Sequence, residues 1–190
     1  GCDGTVGAAA AQSLVDANVV AVAGAACSGA SMAANAVLSA AGIPMISYAS
    51  TNPSLSDATA YPDFFRVVPS DAIQGPAAAA MMVDAQATNP AILHMTNDYG
   101  SGFADAIEDA WTGDVCAKIG YAETTTDVSA EVSQIASAGC DAVFMVSYVT
   151  NAALILNEVA AQNLSIMLFS GDGPAGEGLL VELSDDTVAS

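Results

Sequence analysis

Short apolar runs of four to six residues alternate with longer helical stretches along this chain, and each is closed by Gly, Pro, Ser or Asn. A run such as Pro44 to Ser47 or Asp141 to Val146 has no polar residue every second position, so both faces of its strand need cover. That is the pattern of parallel strands joined by crossover helices. The rhythm predicts helix over Thr5 to Asn18, strand Val19 to Ala23, helix Ser28 to Ala41 and strand Pro44 to Ser47. A polar loop from Tyr48 to Asp63 follows, then strand Phe64 to Val68. It restarts with helix Ser70 to Gln86, strand Ala91 to Thr96, helix Ser101 to Thr112 and strand Ala117 to Ala122. Helix Val128 to Ala138, strand Asp141 to Val146, helix Asn151 to Gln162 and strand Ser165 to Phe169 complete it. The fold class is therefore α/β, with a break near Val68 and Pro69 that divides a first lobe, 1–68, from a second lobe, 69–190.

Open parallel sheets bind ligands at the carboxyl ends of their strands. The loops to search are Gly24 to Ser28, Tyr48 to Pro53, Thr96 to Gly102, Ser147 to Asn151 and Ser170 to Pro174. None contains Lys or Arg, because the chain has only two cations, Arg66 and Lys118, against 21 carboxylates, for a formal net charge of −19. Binding of nucleic acid needs cations to displace counterions and is excluded as a function. Scattered carboxylates read as a solvated, self-repelling surface. A carboxylate ligand would have to be held by neutral donors.

Enzyme chemistry finds little to work with. His94, the one histidine, lies inside the apolar strand AILHMT, where a packed, hydrogen-bonded histidine is the simpler reading than a general base. Ser28 lacks the G-x-S-x-G elbow, the Gly24 turn lacks G-x-G-x-x-G, and no metal-ligand spacing or Walker sequence is present, so neither cofactor nor metal is expected. No apolar run of 18 residues offers a membrane span. Four cysteines, Cys2, Cys27, Cys116 and Cys140, are either free buried thiols or disulfides of an oxidising compartment.

Five segments, GAACSGAS at 24–31, ISYASTNPSL at 46–55, FFRVVPSDAIQGPAAA at 64–79, NDYGSGFADA at 97–106 and AGCDAVFMVSY at 138–148, together resemble the type I periplasmic solute-binding proteins that carry leucine, isoleucine and valine to bacterial ABC importers. The resemblance covers nearly the whole chain in order. It implies two doubly wound parallel-sheet lobes that close on a ligand by a hinge. It also implies truncation at both ends, with the family's first strand and helix and its returning segments outside this sequence.

The resemblance assigns the candidate site residue by residue. Ser28, at a helix start, would offer its hydroxyl and the adjacent amides to the ligand carboxylate, its other reading being a helix N-cap. Thr51 would bind the same carboxylate and the Ala49 carbonyl would face the ammonium, although Asn52-Pro53 also makes this a turn. Asp172, in SGDGP, would pair the ammonium, against the alternative of an Asp-Gly turn. Tyr99 and Tyr148 would cover the ligand from the second lobe, or else pack in the core. Asp98 is read as the cap of the helix after it. Cys2 with Cys27 and Cys116 with Cys140 are the implied disulfides.

The function implied is periplasmic binding of a small neutral aliphatic amino acid for delivery to a membrane permease. A ligand-sensing ectodomain, or a binder of amides, urea or aromatic acids on the same fold, stands as the alternative.

Overall fold

The computed structural model describes residues 2–184 and 187. The chain forms two compact units, one ending at Ile73 and the other beginning at Gln74. The division falls inside a helix, a few residues beyond the Val68-Pro69 break that the loop composition suggests.

In the first unit, helix α1 (Gly4–Asp16), strand β1 (Val22–Ala23), helix α2 (Ser28–Ala40) and strands β2 (Met45–Ser47) and β3 (Phe64–Arg66) follow one another. The strands are parallel in the order β1-β2-β3. Asp3 caps α1 by accepting the Val6 amide at 2.8 Å. The two helices lie so close that a side chain at Gly7 would come within 2.9 Å of the Ala30 carbonyl. Ala11, Ala34, Leu38, Ile43 and Met45 make the small buried core. A Cys2–Cys27 disulfide, with Cα atoms 5.1 Å apart, joins the starts of the two helices. In the chain-entropy account, a loop of 25 residues closed this way is worth about 3 kcal/mol.

Helix α3 (Asp71–Asp84) leads into the second unit. There, β4 (Pro90–Met95), α4 (Asp98–Ala110), β5 (Ala117–Tyr121), α5 (Ser129–Ala138), β6 (Ala142–Val146), α6 (Val149–Ala161), β7 (Met167–Ser170) and a short α7 (Glu177–Glu182) alternate. All four strands are parallel, in the order β5-β4-β6-β7. Every residue of β4 and β6 is buried, as fits their almost entirely apolar sequences, broken only by His94. Phe103 of α4 meets Phe144 of β6 edge-on, with centroids 5.6 Å apart. Gly100 is needed where α4 presses on β4, since a Cβ there would strike the Met95 carbonyl. Gly139 ends α5 in the left-handed conformation, φ 73°.

Below the sheet, at the amino ends of the strands, Cys116 and Cys140 form the second disulfide, with Cα atoms 5.6 Å apart. Beside it the Asp141 carboxylate accepts the Thr88 hydroxyl at 2.6 Å and the amides of Thr88 and Asn89 at 2.7 and 2.9 Å. Burial would raise this carboxyl, but the three donors outweigh it and hold it below the ordinary aspartate value.

Local boundaries differ from those read in the sequence. The strand expected from Val19 is ordered only at Val22–Ala23, and a one-turn helix, Pro53–Ser56, interrupts the polar loop after β2. Helix α4 starts at Asp98 rather than Ser101. Its cap is Asn97, whose side chain accepts the Gly100 amide at 2.8 Å, so Asp98 is a first-turn residue and not the cap. Among the described residues no helix is long and apolar enough to cross a membrane.

Candidate functional site

Two groups of candidate residues stand at the carboxyl ends of strands, one in each unit. In the first unit, Ser28 is the first residue of α2, and the cap position belongs to Cys27, which makes no side-chain capping bond. The first-turn amides of a 13-residue helix are thereby left for another acceptor, at the positive end of its dipole. The Ser28 oxygen accepts the Asn52 amide at 3.2 Å, leaving its own proton to donate. Ser28 therefore does not cap its helix through its side chain; it ties α2 to the loop that carries Thr51.

Thr51 is almost fully buried, and its hydroxyl has no hydrogen-bond partner among the described residues. A buried hydroxyl without a partner carries a desolvation cost of about 1–3 kcal/mol that a bound acceptor would relieve. The Thr51 carbonyl is already used, accepting the Asp71 amide at 2.9 Å. Ala49 spends its amide on the Ser47 hydroxyl at 3.2 Å, not its carbonyl. A serine cluster pins both loops: Ser47 donates to the Ala25 carbonyl at 2.5 Å, Ser50 to the Ala26 carbonyl at 3.0 Å, and the Ser31 and Ser50 hydroxyls lie 2.8 Å apart.

Arg66 is a participant that the loop sequences do not reveal. From β3 its guanidinium reaches the Asn52 carbonyl at 2.9 Å and the Ser56 hydroxyl, so one of the two cations braces the Thr51 loop from behind. Burial lowers its pKa and Asp71 opposes the shift. Its donors are spent on carbonyls and the Ser56 hydroxyl, which leaves the α2 amides and the Ser28 and Thr51 hydroxyls as the donors at the loop edge.

In the second unit, β4 is flanked by β5 on one side and β6 on the other, so the winding reverses at β4. Crevices at such a reversal are the usual ligand sites of open α/β sheets. Tyr99 in α4 and Tyr148, the cap residue of α6, come from the loops after the adjacent strands β4 and β6, and their rings stack 5.4 Å apart at an interplanar angle of 7°. The Tyr99 hydroxyl donates to Asp172 Oδ1 at 2.9 Å. Asp172 itself is exposed. The Tyr148 hydroxyl is pushed up to about 12, first by burial and then by the charges of Glu123 and Asp172, with Asn97 opposing.

Glu123 and Asn97 complete this group, and neither is among the residues that the resemblance assigns. Asn97 Nδ2 donates to Glu123 Oε2 at 2.7 Å, and Asn151 Nδ2 donates to the Glu123 carbonyl at 3.0 Å. A signal existed: Glu123 lies two residues beyond the last residue of β5, in a carboxyl-edge loop.

His94 is 9% exposed and its Nδ1 lies 2.9 Å from the Met95 carbonyl, a packed strand histidine. No cluster of three or more metal-ligating side chains occurs among the described residues. An apolar cavity of about 230 Å³ lies between α1, α2 and β1, lined by residues such as Val6, Leu14, Leu38 and Met45. It contains none of the candidate residues.

The family described as receptor family ligand binding region matches residues 1–167. The chain belongs to that family. The leucine-specific-binding protein of Salmonella typhimurium is 27% identical over 93% of this chain and 48% of its own length. Metabotropic glutamate receptor-like protein E of Dictyostelium discoideum is 37% identical over 50% of this chain and 12% of its own. The chain thus spans about half the length of the bacterial relative and a smaller part of the receptor.

Among solved structures, a leucine binding protein from Thermotoga maritima superposes with a TM-score of 0.90 at 24% identity, covering 97% of this chain and 53% of its own. A branched-chain amino acid transporter substrate binding protein from Streptococcus pneumoniae, in complex with isoleucine, gives 0.83 at 25%, covering 96% and 53%. A solute binding protein from R. palustris in complex with benzoate gives 0.86 at 19%, covering 95% and 51%. At that identity it shares the fold. These relatives are binding proteins and a receptor, not enzymes.

Proposed function

We propose that this protein binds a small neutral, aliphatic L-amino acid outside the cytoplasm, in the periplasm, and delivers it to the membrane permease of an ABC importer. The observation that carries the reading is the Tyr99–Tyr148 stack at the winding reversal, with the Tyr99 hydroxyl aimed at the Asp172 carboxylate. Asp172 supplies the acceptor for an ammonium group, and the stacked rings supply a flat apolar wall with polar tips. Ser28, the amides of its helix and the Thr51 hydroxyl are neutral donors for the carboxylate, and the Ala49 carbonyl is a further ammonium acceptor. The two disulfides fit an oxidising compartment. The leucine and isoleucine named with the similar proteins favour an aliphatic side chain.

A second reading has its own support: metabotropic glutamate receptor 6 of Rattus norvegicus is 53% identical over 66 residues, 35% of this chain. In that reading the chain is the sensing ectodomain of a receptor. Calorimetric titration with leucine, isoleucine, valine, glutamate, urea and benzoate separates the possibilities. Binding confined to aliphatic amino acids supports the first, preference for glutamate supports the second, and binding of amine-free ligands alone removes Asp172 from its role. Asp172→Ala should weaken amino acid binding by about 2–3 kcal/mol, as loss of a charged hydrogen-bonding partner does.

A further inference from the structure

One residue of the second unit, in the loop after β5, bonds to the starts of both helices that carry the tyrosine stack. Glu123 follows β5. Its carboxylate accepts Asn97 Nδ2 at 2.7 Å, and its main-chain carbonyl accepts Asn151 Nδ2 at 3.0 Å. Asn97 caps α4 two residues before Tyr99, and its Oδ1 accepts the Gly100 amide at 2.8 Å. With Oδ1 committed to Gly100, only the amino end of the Asn97 amide is available to a neighbour, and a carboxylate is the acceptor that holds that orientation most firmly. Asn151 is buried in the first turn of α6, three residues after Tyr148. The chain of contacts thus runs from Glu123 through Asn97 and Asn151 to the starts of α4 and α6, and from there to the two stacked rings and Asp172.

We infer that Glu123 is a positioning residue, which fixes the Asn97 amide and with it the Tyr99–Tyr148 wall. This rests on the reading in which Tyr99, Tyr148 and Asp172 hold the ligand. Glu123 acts through Asn97, so an uncharged acceptor of the same length serves nearly as well. That requirement separates it from Asp172, whose charge is matched to the ligand ammonium.

The test compares Glu123→Gln, Glu123→Ala, Asn97→Ala and the Glu123→Ala/Asn97→Ala double variant, using leucine as the probe in calorimetry. Glu123→Ala should lower affinity about tenfold, Glu123→Gln should stay within about threefold of the parent, and the double variant should be no weaker than Asn97→Ala alone, as expected when two residues act as one unit. Equal losses in the Gln and Ala variants, or additive losses in the double variant, would overturn the inference.

A readout without ligand keeps the two readings apart. Nuclear magnetic resonance of the free protein should show the Asn97 side-chain amide protons and the Gly100 amide slowed in exchange, unprotected in Glu123→Ala and protected again in Glu123→Gln. If that pattern holds while no amino acid binds the parent protein, the binding reading fails and the positioning role stands. If leucine binds and the exchange pattern is unaltered by Glu123→Ala, the positioning role fails and the binding reading stands.

Discussion

The two parallel sheets of this protein are made from similar apolar runs but are covered differently. In the second unit, β4 and β6 are buried at every residue. In the first unit, β2 and β3 alternate: Ile46 and Phe65 face each other in register and are 43% and 57% exposed, with Tyr48 and Val67 exposed beyond them. An apolar residue on a parallel strand is therefore no guide by itself to burial. Cover on the second face comes from other elements, and among the described residues only the second unit supplies it along its central strands. The second unit also contains the winding reversal at β4, whereas the first runs in one direction, β1-β2-β3.

The largest effect should come from the covered sheet. Phe144→Ala removes a ring that is 1% exposed and packed against Phe103, and should cost about 3–5 kcal/mol in denaturant unfolding. A loss below about 1 kcal/mol would mean that the second sheet is no better packed than the first.

An intermediate effect belongs to the amino-terminal edge of the same sheet. Asp141→Ala removes the acceptor of three hydrogen bonds and should cost about 1–2 kcal/mol at neutral pH. The sign of its pH dependence follows from a folded-state value held below the ordinary one. The contribution is complete above the unfolded aspartate value of about 4 and is lost as pH falls through the lower folded value. Parent and variant unfolding curves should therefore converge in acid; a gap that persists or widens there would assign the loss to packing.

The smallest effect should come from the uncovered face. Phe65→Ser replaces a half-exposed ring and should change stability by no more than about 0.5 kcal/mol. A cost above 1 kcal/mol would show that this face is covered in solution, and the contrast between the sheets would disappear.

Much of the architecture is legible in the sequence. The largely apolar runs at 91–95, which holds His94, and 142–146 are buried parallel strands, and the polar segments after them are carboxyl-edge loops. Tyr99, Tyr148 and Asp172 lie in three of those loops and come together, and the two expected cysteine pairs are bonded. Misreadings cluster at element ends. Asn97 and Asp98 are both good capping residues one position apart, and only the backbone shows which one stands outside the helix. Ser28 fails as a cap for the same reason, because the helix begins on it.

What the amino-acid sequence determined alone is therefore the period, the class of each segment and the list of loops, because alternation and turn chemistry are local properties. The tertiary structure decided which strands lie side by side. That order, β5-β4-β6-β7, brings residue 99 against residue 148 and places Glu123 beside Asn97. It decided as well that Arg66, outside every expected loop, braces the one that carries Thr51. Such contacts join positions tens of residues apart, and hydrophobic periodicity records which face a side chain takes without recording which neighbour it meets.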